Sequence, residues 1–285
     1  MTARRTPASP LPPTVFQAAA GDDTLLDLHC LAFAGGSVQS FRPWGAALPA
    51  AIALTGLELP GRGLRADDPP AKGLSCLLDE LVDRIASRPP RPMALFGHSM
   101  GALIAFELAR RLTREGGVGP VALFVCGHAA PHLAAKRHSG LHALDDAALV
   151  RQLRAWNGTP PDLLDDPALL QRILPPLRAD LEICETYALE DGAPLDIPIF
   201  AYAGETDETE PVEAVRAWSA HTRAAFRFTA FPGGHFFFLE SARDAFLQRL
   251  ASDLRLVCST LLAERAAPHE RSGAAPARAL AAGVA

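Results

Sequence analysis

The sequence of 285 residues contains few cysteines and no pair of them at metal-ligand spacing. The five cysteines are isolated, odd in number and free of any C-x-x-C motif. This pattern argues against a disulfide framework and against a structural zinc site. Isolated thiols suit a reducing compartment, and we therefore expect a cytoplasmic protein.

Long hydrophobic runs and an excess of basic charge are also absent. No stretch reaches the roughly 18 apolar residues that a membrane span needs. Prolines at positions 7, 10, 12 and 13 interrupt the segment after Arg4 and Arg5, so no secretory signal peptide is predicted. The formal net charge is −5, which provides no basic footprint for nucleic acid. Membrane and nucleic-acid partners are therefore not expected.

Short hydrophobic runs alternate with helical patterns through the middle of the chain. We interpret six of the runs as strands buried on both faces of a sheet: 25–33, 52–59, 93–97, 121–126, 197–203 and 226–231. Apolar residues at helical spacing predict helices within 74–85, 103–112 and 239–261. The alternation predicts an α/β fold with a mostly parallel central sheet flanked by helices.

One region breaks this alternation, because residues 132–191 contain no strand-like run. Helical stretches are predicted there, including 167–174 and 177–188 with Pro175 and Pro176 between them. An insertion of this size has to pack over an edge of the sheet, and in an α/β enzyme it suggests a lid. The composition of residues 1–22 and 264–285 predicts a flexible N-terminal tail and a disordered C-terminal tail, which leaves 23–263 as the core domain.

The segment 97–101, Gly-His-Ser-Met-Gly, carries the strongest chemical signal. It matches the G-x-S-x-G motif, with a predicted strand before it and a predicted helix after it. Such a turn raises the Ser99 hydroxyl above the carboxyl edge of the sheet. It also brings the Met100 N–H and the positive end of the helix to the reacting carbon. We therefore predict Ser99 as a nucleophile and the Met100 amide as an oxyanion donor.

A serine hydroxyl is a weak nucleophile and needs a base, which in turn needs an acid. Among the nine histidines, His235 follows the predicted strand 226–231 and would lie at the same sheet edge as Ser99. Asp207 follows the strand 197–203 and precedes His235, in the chain order expected for such a site. We favour Asp207 as the acid, while three neighbouring carboxylates stay open as alternatives: Glu205, Glu208 and Glu210.

A second oxyanion donor is expected in the loop 33–37, Phe-Ala-Gly-Gly-Ser, and we select the Ala34 N–H. His98 is expected to pack or hydrogen-bond beside the elbow, with its side chain pointing away from that of Ser99. His128 and His132 fit a pocket lining and a plain loop equally well. The other histidines are interpreted as surface or loop residues: His29, His138, His142, His221 and His269.

Together these motifs resemble the stand-alone type II thioesterases that serve modular polyketide and nonribosomal peptide synthases. The resemblance spans roughly residues 25–260 and rests on the segments 34–37, 41–44, 59–63, 96–102, 177–180, 185–187, 204–207 and 231–237. It implies an α/β-hydrolase fold with a helical lid. It also implies hydrolysis of acyl thioesters on the phosphopantetheine arm of carrier proteins, through an acyl-serine intermediate. Ser99, Asp207 and His235 match the family's triad, and Ala34 and Met100 match its oxyanion hole.

The resemblance implies acyl or peptidyl carrier domains as partners. Such a reaction needs no metal or bound cofactor, because the phosphopantetheine arm belongs to the carrier, and we expect a monomer. Phe33 is a departure, since relatives often carry His or Tyr there. Arg62, in the turn 59–63, is either a turn residue or a contact for an acidic carrier protein or a phosphate, and the Phe41/Trp44 pair is interpreted as core. Two other functions stay open: a general carboxylesterase or lipase for oxygen esters, and a carrier-binding module with little activity.

Overall fold

The computed structural model describes residues 14–17, 23–114, 119–134, 140–156, 159 and 161–266. The strands are β1 (Thr14–Gln17), β2 (Leu26–Leu31), β3 (Ile52–Gly56), β4 (Met93–His98), β5 (Ala122–Cys126), β6 (Ile199–Gly204) and β7 (Phe226–Phe231). The helices are α1 (Leu74–Ala86), α2 (Met100–Arg114), α3 (Pro131–Ala134), α4 (Asp146–Trp156), α5 (Pro161–Leu164), α6 (Pro167–Glu185), α7 (Val212–Arg216) and α8 (Arg243–Ala266). Short 3₁₀ segments include Val38–Ala46, Gly63–Arg65, Leu141–Ala143 and Ala217–His221.

The strands form one sheet in the order β1-β3-β2-β4-β5-β6-β7. The six strands from β2 to β7 run parallel, and β1 pairs antiparallel with β3 at one edge. All six predicted strands are present, and the prediction of a parallel α/β sheet is confirmed. Every residue of β2 to β6 is buried, as expected for strands that are covered on both faces.

Two hydrophobic clusters cover the two faces of the sheet. On one face, α1 and α2 pack against the strands through residues such as Leu81 and Ile104. On the other face, Trp44 from the 3₁₀ segment Val38–Ala46 and Phe246 from α8 pack against Phe96. Phe41 is buried in the same cluster, so the Phe41/Trp44 pair belongs to the core as predicted. Within the described residues, no helix has the length and hydrophobicity of a membrane span.

The order of the strands reverses at β2. The chain passes from β2 to β3 on one side and then returns to β4 on the other side. At such a point the connections from neighbouring parallel strands leave in opposite directions and open a crevice at their carboxyl ends. The loop 33–37 follows β2 and Ser99 follows β4. The topology therefore brings the predicted nucleophile and the predicted oxyanion loop to the two sides of one crevice.

The insertion between β5 and β6 contains α3, α4, α5 and α6. One correction concerns α6, which is a single helix where the sequence predicted two, with Pro175 and Pro176 inside it. Proline removes a helical hydrogen bond and usually breaks a helix. Here Leu174 and Leu177 lie in a hydrophobic cluster of the insertion on either side of the two prolines. Tertiary packing of this face favours one continuous helix over the local break.

The ends of the described chain extend beyond the predicted core domain. Strand β1 lies within residues 1–22, which were predicted to be flexible; that prediction is wrong for 14–17. The strand forms because the outer backbone of β3 offers unpaired groups, and Phe16 packs against the core. Helix α8 continues to Ala266, beyond the predicted boundary at 263. The other residues predicted as tails lie outside the described residues.

Candidate active site

The backbone at Ser99 has the strained geometry of a nucleophile elbow. Strand β4 ends at His98 and α2 begins at Met100, so a single residue makes the turn. Ser99 has a φ of +53°, the only positive value at a non-glycine position among the described residues. Its N–H donates to the Cys126 carbonyl at 2.8 Å, and its carbonyl accepts from the Ala102 N–H at 2.8 Å. These bonds hold a conformation that a serine would otherwise avoid.

The two glycines of the motif are required by close backbone contacts. A Cβ atom on Gly97 would lie 2.0 Å from the Gly101 carbonyl oxygen, and one on Gly101 would lie 2.2 Å from the Leu31 carbonyl oxygen. Both distances are far below van der Waals contact, and the obstacle in each case is backbone. The G-x-S-x-G pattern therefore reflects the packing of α2 directly against the ends of β4 and β2.

His235 and Asp207 form a hydrogen-bonded pair at the carboxyl edge of the sheet. His235 Nδ1 lies 2.7 Å from Asp207 Oδ2, and the aspartate side chain is only 1% exposed. The other carboxylate oxygen, Oδ1, accepts from the backbone N–H groups of Thr209 at 2.9 Å and Glu210 at 3.0 Å. The carboxylate is thus fixed in orientation. Because it occupies Nδ1 of His235, Nε2 is the ring nitrogen that can act as the base.

The three other carboxylates considered as the acid have different surroundings. Glu205 and Glu208 are exposed. Glu210 is buried, and its Oε2 accepts from the Ala129 N–H at 2.8 Å. It thereby ties the loop that carries Asp207 to the segment after β5. The structure pairs His235 with Asp207 alone among these four carboxylates.

His98 packs beside the pair, as the sequence analysis expected. Its Nε2 lies 2.9 Å from the His235 carbonyl oxygen, and since a carbonyl only accepts, Nε2 carries the proton. Burial lowers the pKa of His98 well below its usual value, with the nearby His235 as a further cause. His98 is therefore neutral, and it supports the His235 loop without adding a charge next to the base. Phe33 contacts the His98 ring edge-on, with the ring centroids 5.6 Å apart.

The two predicted oxyanion donors lie on the two sides of the crevice. Met100 is the first residue of α2, where the N–H has no partner within the helix. Ala34 and Gly35 form the centre of a turn closed by a 2.8 Å bond from the Gly36 N–H to the Phe33 carbonyl. The oxyanion role of the two amides stays a prediction.

The remaining histidines are distributed as follows. His128 is buried, and its Nδ1 lies 2.7 Å from the Ala129 carbonyl oxygen. His132 Nδ1 lies 2.8 Å from His221 Nε2, so these two pair with each other. His29 is 2% exposed within β2, which corrects its interpretation as a surface or loop residue. None of these contacts involves His235.

A buried ion pair next to the oxyanion loop was not predicted from the sequence. Arg62 is not a free surface cation, because its side chain is 7% exposed and it pairs with Asp180 of α6. Asp180 lies in the segment 177–180, but nothing in its local pattern identifies a partner 118 positions away. The contact depends on where the insertion packs, which the sequence alone does not reveal.

A strand–elbow–helix unit with a strained serine, and an acid–base pair at the same sheet edge, define a serine hydrolase of the α/β-hydrolase class. Comparisons with known proteins agree. The family model described as "Thioesterase domain" matches residues 27–254. The gramicidin S biosynthesis protein GrsT of Aneurinibacillus migulanus is 35% identical over 81% of this chain and 90% of its own length.

Solved structures give the same assignment. The thioesterase RedJ from the prodiginine pathway of Streptomyces coelicolor matches with a TM-score of 0.76 and 37% identity, over 87% of this chain and 91% of that one. The type II thioesterase BorB from the borrelidin cluster matches with a TM-score of 0.77 and 37% identity, over 85% and 97%. The chain belongs to the thioesterase family, and it is a type II thioesterase of nonribosomal peptide and polyketide biosynthesis.

Proposed function

We propose that Ser99, His235 and Asp207 form a triad that hydrolyses acyl thioesters held on the phosphopantetheine arm of synthase carrier domains. The residues 132–191 would act as a lid over this site. The observation that carries the proposal is the Asp207–His235 pair at the same sheet edge as the strained Ser99. The role of the protein is to clear acyl groups that block a carrier domain, as an editing thioesterase does.

In the first half of the reaction, His235 Nε2 takes the proton of Ser99 as Oγ attacks the thioester carbonyl carbon. The carbonyl oxygen becomes an oxyanion, which the Ala34 and Met100 amides stabilise. The carbon–sulfur bond then breaks, and the pantetheine thiol leaves with the proton from His235. The product is an acyl ester of Ser99.

In the second half, His235 takes a proton from water, and the resulting hydroxide attacks the acyl carbon. The same amides stabilise the second oxyanion, and Ser99 leaves with the proton from His235. The buried Asp207 carboxylate stabilises the imidazolium in both halves and fixes the ring orientation. Because the neighbouring His98 is neutral, it does not oppose the positive charge that forms on His235.

A panel of acyl-loaded carrier proteins tests the proposal. Each acyl carrier is incubated with the wild type and with Ser99→Ala, and mass spectrometry follows the acyl group on the pantetheine arm. Matched oxygen esters of the same acyl groups are assayed in parallel. We expect the wild type to unload the carriers and Ser99→Ala to leave them loaded.

The other outcomes contradict the proposal in different ways. Faster hydrolysis of the oxygen ester than of the carrier thioester would indicate a general carboxylesterase. Binding of the carrier without hydrolysis, together with a Ser99 that a fluorophosphonate does not label, would indicate a binding module. Full activity of Ser99→Ala would remove this serine from the reaction.

A further inference from the structure

Three hydrogen-bond donors converge on the carboxylate of Asp180, a residue of α6 in the helical insertion. Oδ2 accepts from the Gly35 N–H at 2.7 Å and from Arg62 Nη1 at 2.5 Å, and Oδ1 accepts from Arg62 Nη2 at 2.8 Å. The Asp180 side chain is 1% exposed and that of Arg62 is 7% exposed. A buried carboxylate thus connects the insertion to the backbone of the oxyanion loop and to a second loop through a two-pronged ion pair.

The Gly35 N–H belongs to the central peptide of the turn that contains Ala34. The 2.8 Å bond from the Gly36 N–H to the Phe33 carbonyl closes this turn. Gly35, its third residue, has a φ of +72°, which is the conformation of a type II turn. A type I turn would rotate the central peptide by about half a turn and direct its N–H elsewhere. Acceptance by Asp180 therefore selects the type II arrangement.

The closing bond of the turn also sets the direction of the Ala34 N–H. The Phe33 carbonyl and the Ala34 N–H belong to one trans peptide, so they point in opposite directions. Because the carbonyl points into the turn, the Ala34 N–H points out of it. The direction of the oxyanion donor thus follows from the placement of the turn, and the bond from the Gly35 N–H to Asp180 anchors the turn to α6.

We propose that Asp180 is a positioning residue for the oxyanion hole, and that Arg62 holds Asp180 in place for this role. The inference rests on the proposed function, in which the Ala34 amide is an oxyanion donor. Asp180 touches neither substrate nor reacting atoms; it acts through the Ala34–Gly35 peptide. Since Asp180 belongs to the insertion, the direction of the donor depends on how α6 is seated.

The packing of α6 supports this dependence. Leu177 lies over Gly35, where a Cβ atom would be 3.1 Å from Leu177 Cδ1. Pro176 lies over Gly61, where a Cβ atom would be 2.9 Å from Pro176 Cβ. Both glycines have positive φ values, +72° and +82°. One face of α6 therefore packs against the turn at Gly35 and the turn at Gly61. The Asp180–Arg62 pair joins the same helix to both turns.

The test compares variants that remove the contact without leaving a lone buried charge. The double variant Arg62→Met, Asp180→Leu removes both charges and the acceptor of the Gly35 N–H. Either single change would leave the other charge buried without an ion-pair partner. The control is Arg111→Met, Asp79→Leu. That ion pair joins α2 to α1 and lies outside the insertion.

Two measurements separate positioning from a structural role. The first is kcat and KM for the hexanoyl thioester of N-acetylcysteamine. The second is the inhibition constant of a hexyl trifluoromethyl ketone, whose adduct with Ser99 places an oxyanion in the hole. We expect kcat of the Arg62/Asp180 double variant to fall on the order of 10- to 100-fold with KM nearly unchanged, since small misplacements of catalytic groups have such effects. The inhibition constant should rise by the factor lost in kcat/KM, and the control should match the wild type.

A double variant that is less stable but keeps kcat and the inhibition constant of the wild type would show a purely structural ion pair and overturn the inference. If the double variant does not fold, the same two measurements are made on Asp180→Asn. Its amide oxygen still accepts from the Gly35 N–H, but its NH₂ group faces the guanidinium of Arg62. We therefore expect kcat to fall and the inhibition constant to rise by about three- to tenfold. Wild-type values of both would overturn the inference. Full activity of Ser99→Ala would instead overturn the proposed function, and with it the role of Ala34.

Discussion

Asp207 Oδ2 and His235 Nδ1 lie 2.7 Å apart, and they join two loops that leave the sheet after neighbouring strands β6 and β7. The aspartate side chain is 1% exposed, and the histidine side chain is 16% exposed. The acid is therefore shielded while the base stays open toward the crevice. Such a pair fixes the tautomer of the imidazole and stabilises its charged form during acyl transfer.

The first prediction is that Asp207→Asn lowers kcat by on the order of 10⁴, as the same change does in a serine protease triad. An asparagine at this position keeps the shape but presents the wrong partner to His235 Nδ1. Steady-state hydrolysis of an acyl N-acetylcysteamine thioester measures the effect. The control is Glu208→Gln, which should change kcat little because Glu208 is exposed. Equal losses in the two variants would contradict the assignment of the acid.

The second prediction concerns the packing of the elbow. Gly101→Ala places a Cβ atom 2.2 Å from the Leu31 carbonyl oxygen, and the two backbones have to separate. We expect a loss of at least about 4 kcal/mol in the free energy of unfolding, since strain of this kind belongs to the most destabilising class of substitution. Urea denaturation followed by circular dichroism measures it, together with the loss of thioesterase activity.

Gly140→Ala is the control for that experiment. Among the described residues, and apart from its chain neighbours, no atom lies within 4 Å of the Cβ position of Gly140, although its φ is +71°. Only the backbone conformation is strained there, which costs roughly 1–2 kcal/mol. If Gly101→Ala were no more destabilising than Gly140→Ala, the close approach of α2 to β2 would not be the reason for the glycine.

The third prediction is a loss of stability in acid that depends on His29. Burial, together with the positive charges of Arg88 and Arg84, lowers the pKa of His29 to about 3. In the unfolded chain the ring has its ordinary pKa of about 6.5, so below that pH the unfolded state binds a proton that the folded state does not. The stabilisation is therefore complete above about pH 6.5 and is lost as the pH falls toward 3.

Unfolding in urea at pH 7.0, 6.0 and 5.0 tests this linkage. His29→Gln should reduce the slope of the free energy of unfolding against pH by up to about 1.36 kcal/mol per pH unit, the value for one proton. Thr55→Val is the control: Thr55 is the buried neighbour of His29 on β3 and does not titrate. Its slope should equal that of the wild type. An unchanged slope in His29→Gln would show that His29 is not the group responsible.

Much of this architecture could be predicted from the sequence, because local pattern determines it. Strands buried on both faces read as continuous hydrophobic runs, and the elbow reads as G-x-S-x-G because backbone contacts exclude side chains at Gly97 and Gly101. The order of Ser99, Asp207 and His235 along the chain follows from the order of the strand ends. Each of these features is encoded within a few residues of where it acts.

Features that depend on tertiary packing could not be predicted. The prolines of α6 indicated a break, but the leucines beside them pack so that the helix continues. Strand β1 exists only because β3 provides an edge. The pairing of Arg62 with Asp180 joins residues that are distant in the chain, and no local pattern distinguishes a buried aspartate of this kind from an exposed one.

The most direct test of the account is to capture the acyl-enzyme. The protein is mixed with a hexanoyl carrier-protein thioester, quenched in acid within milliseconds to seconds, and digested for mass spectrometry. We predict a hexanoyl adduct on the peptide that contains Ser99. It should accumulate before steady state in the wild type and be absent from Ser99→Ala, which leaves the thioester intact. Hydrolysis by Ser99→Ala at the wild-type rate, with no adduct in either protein, would contradict the account.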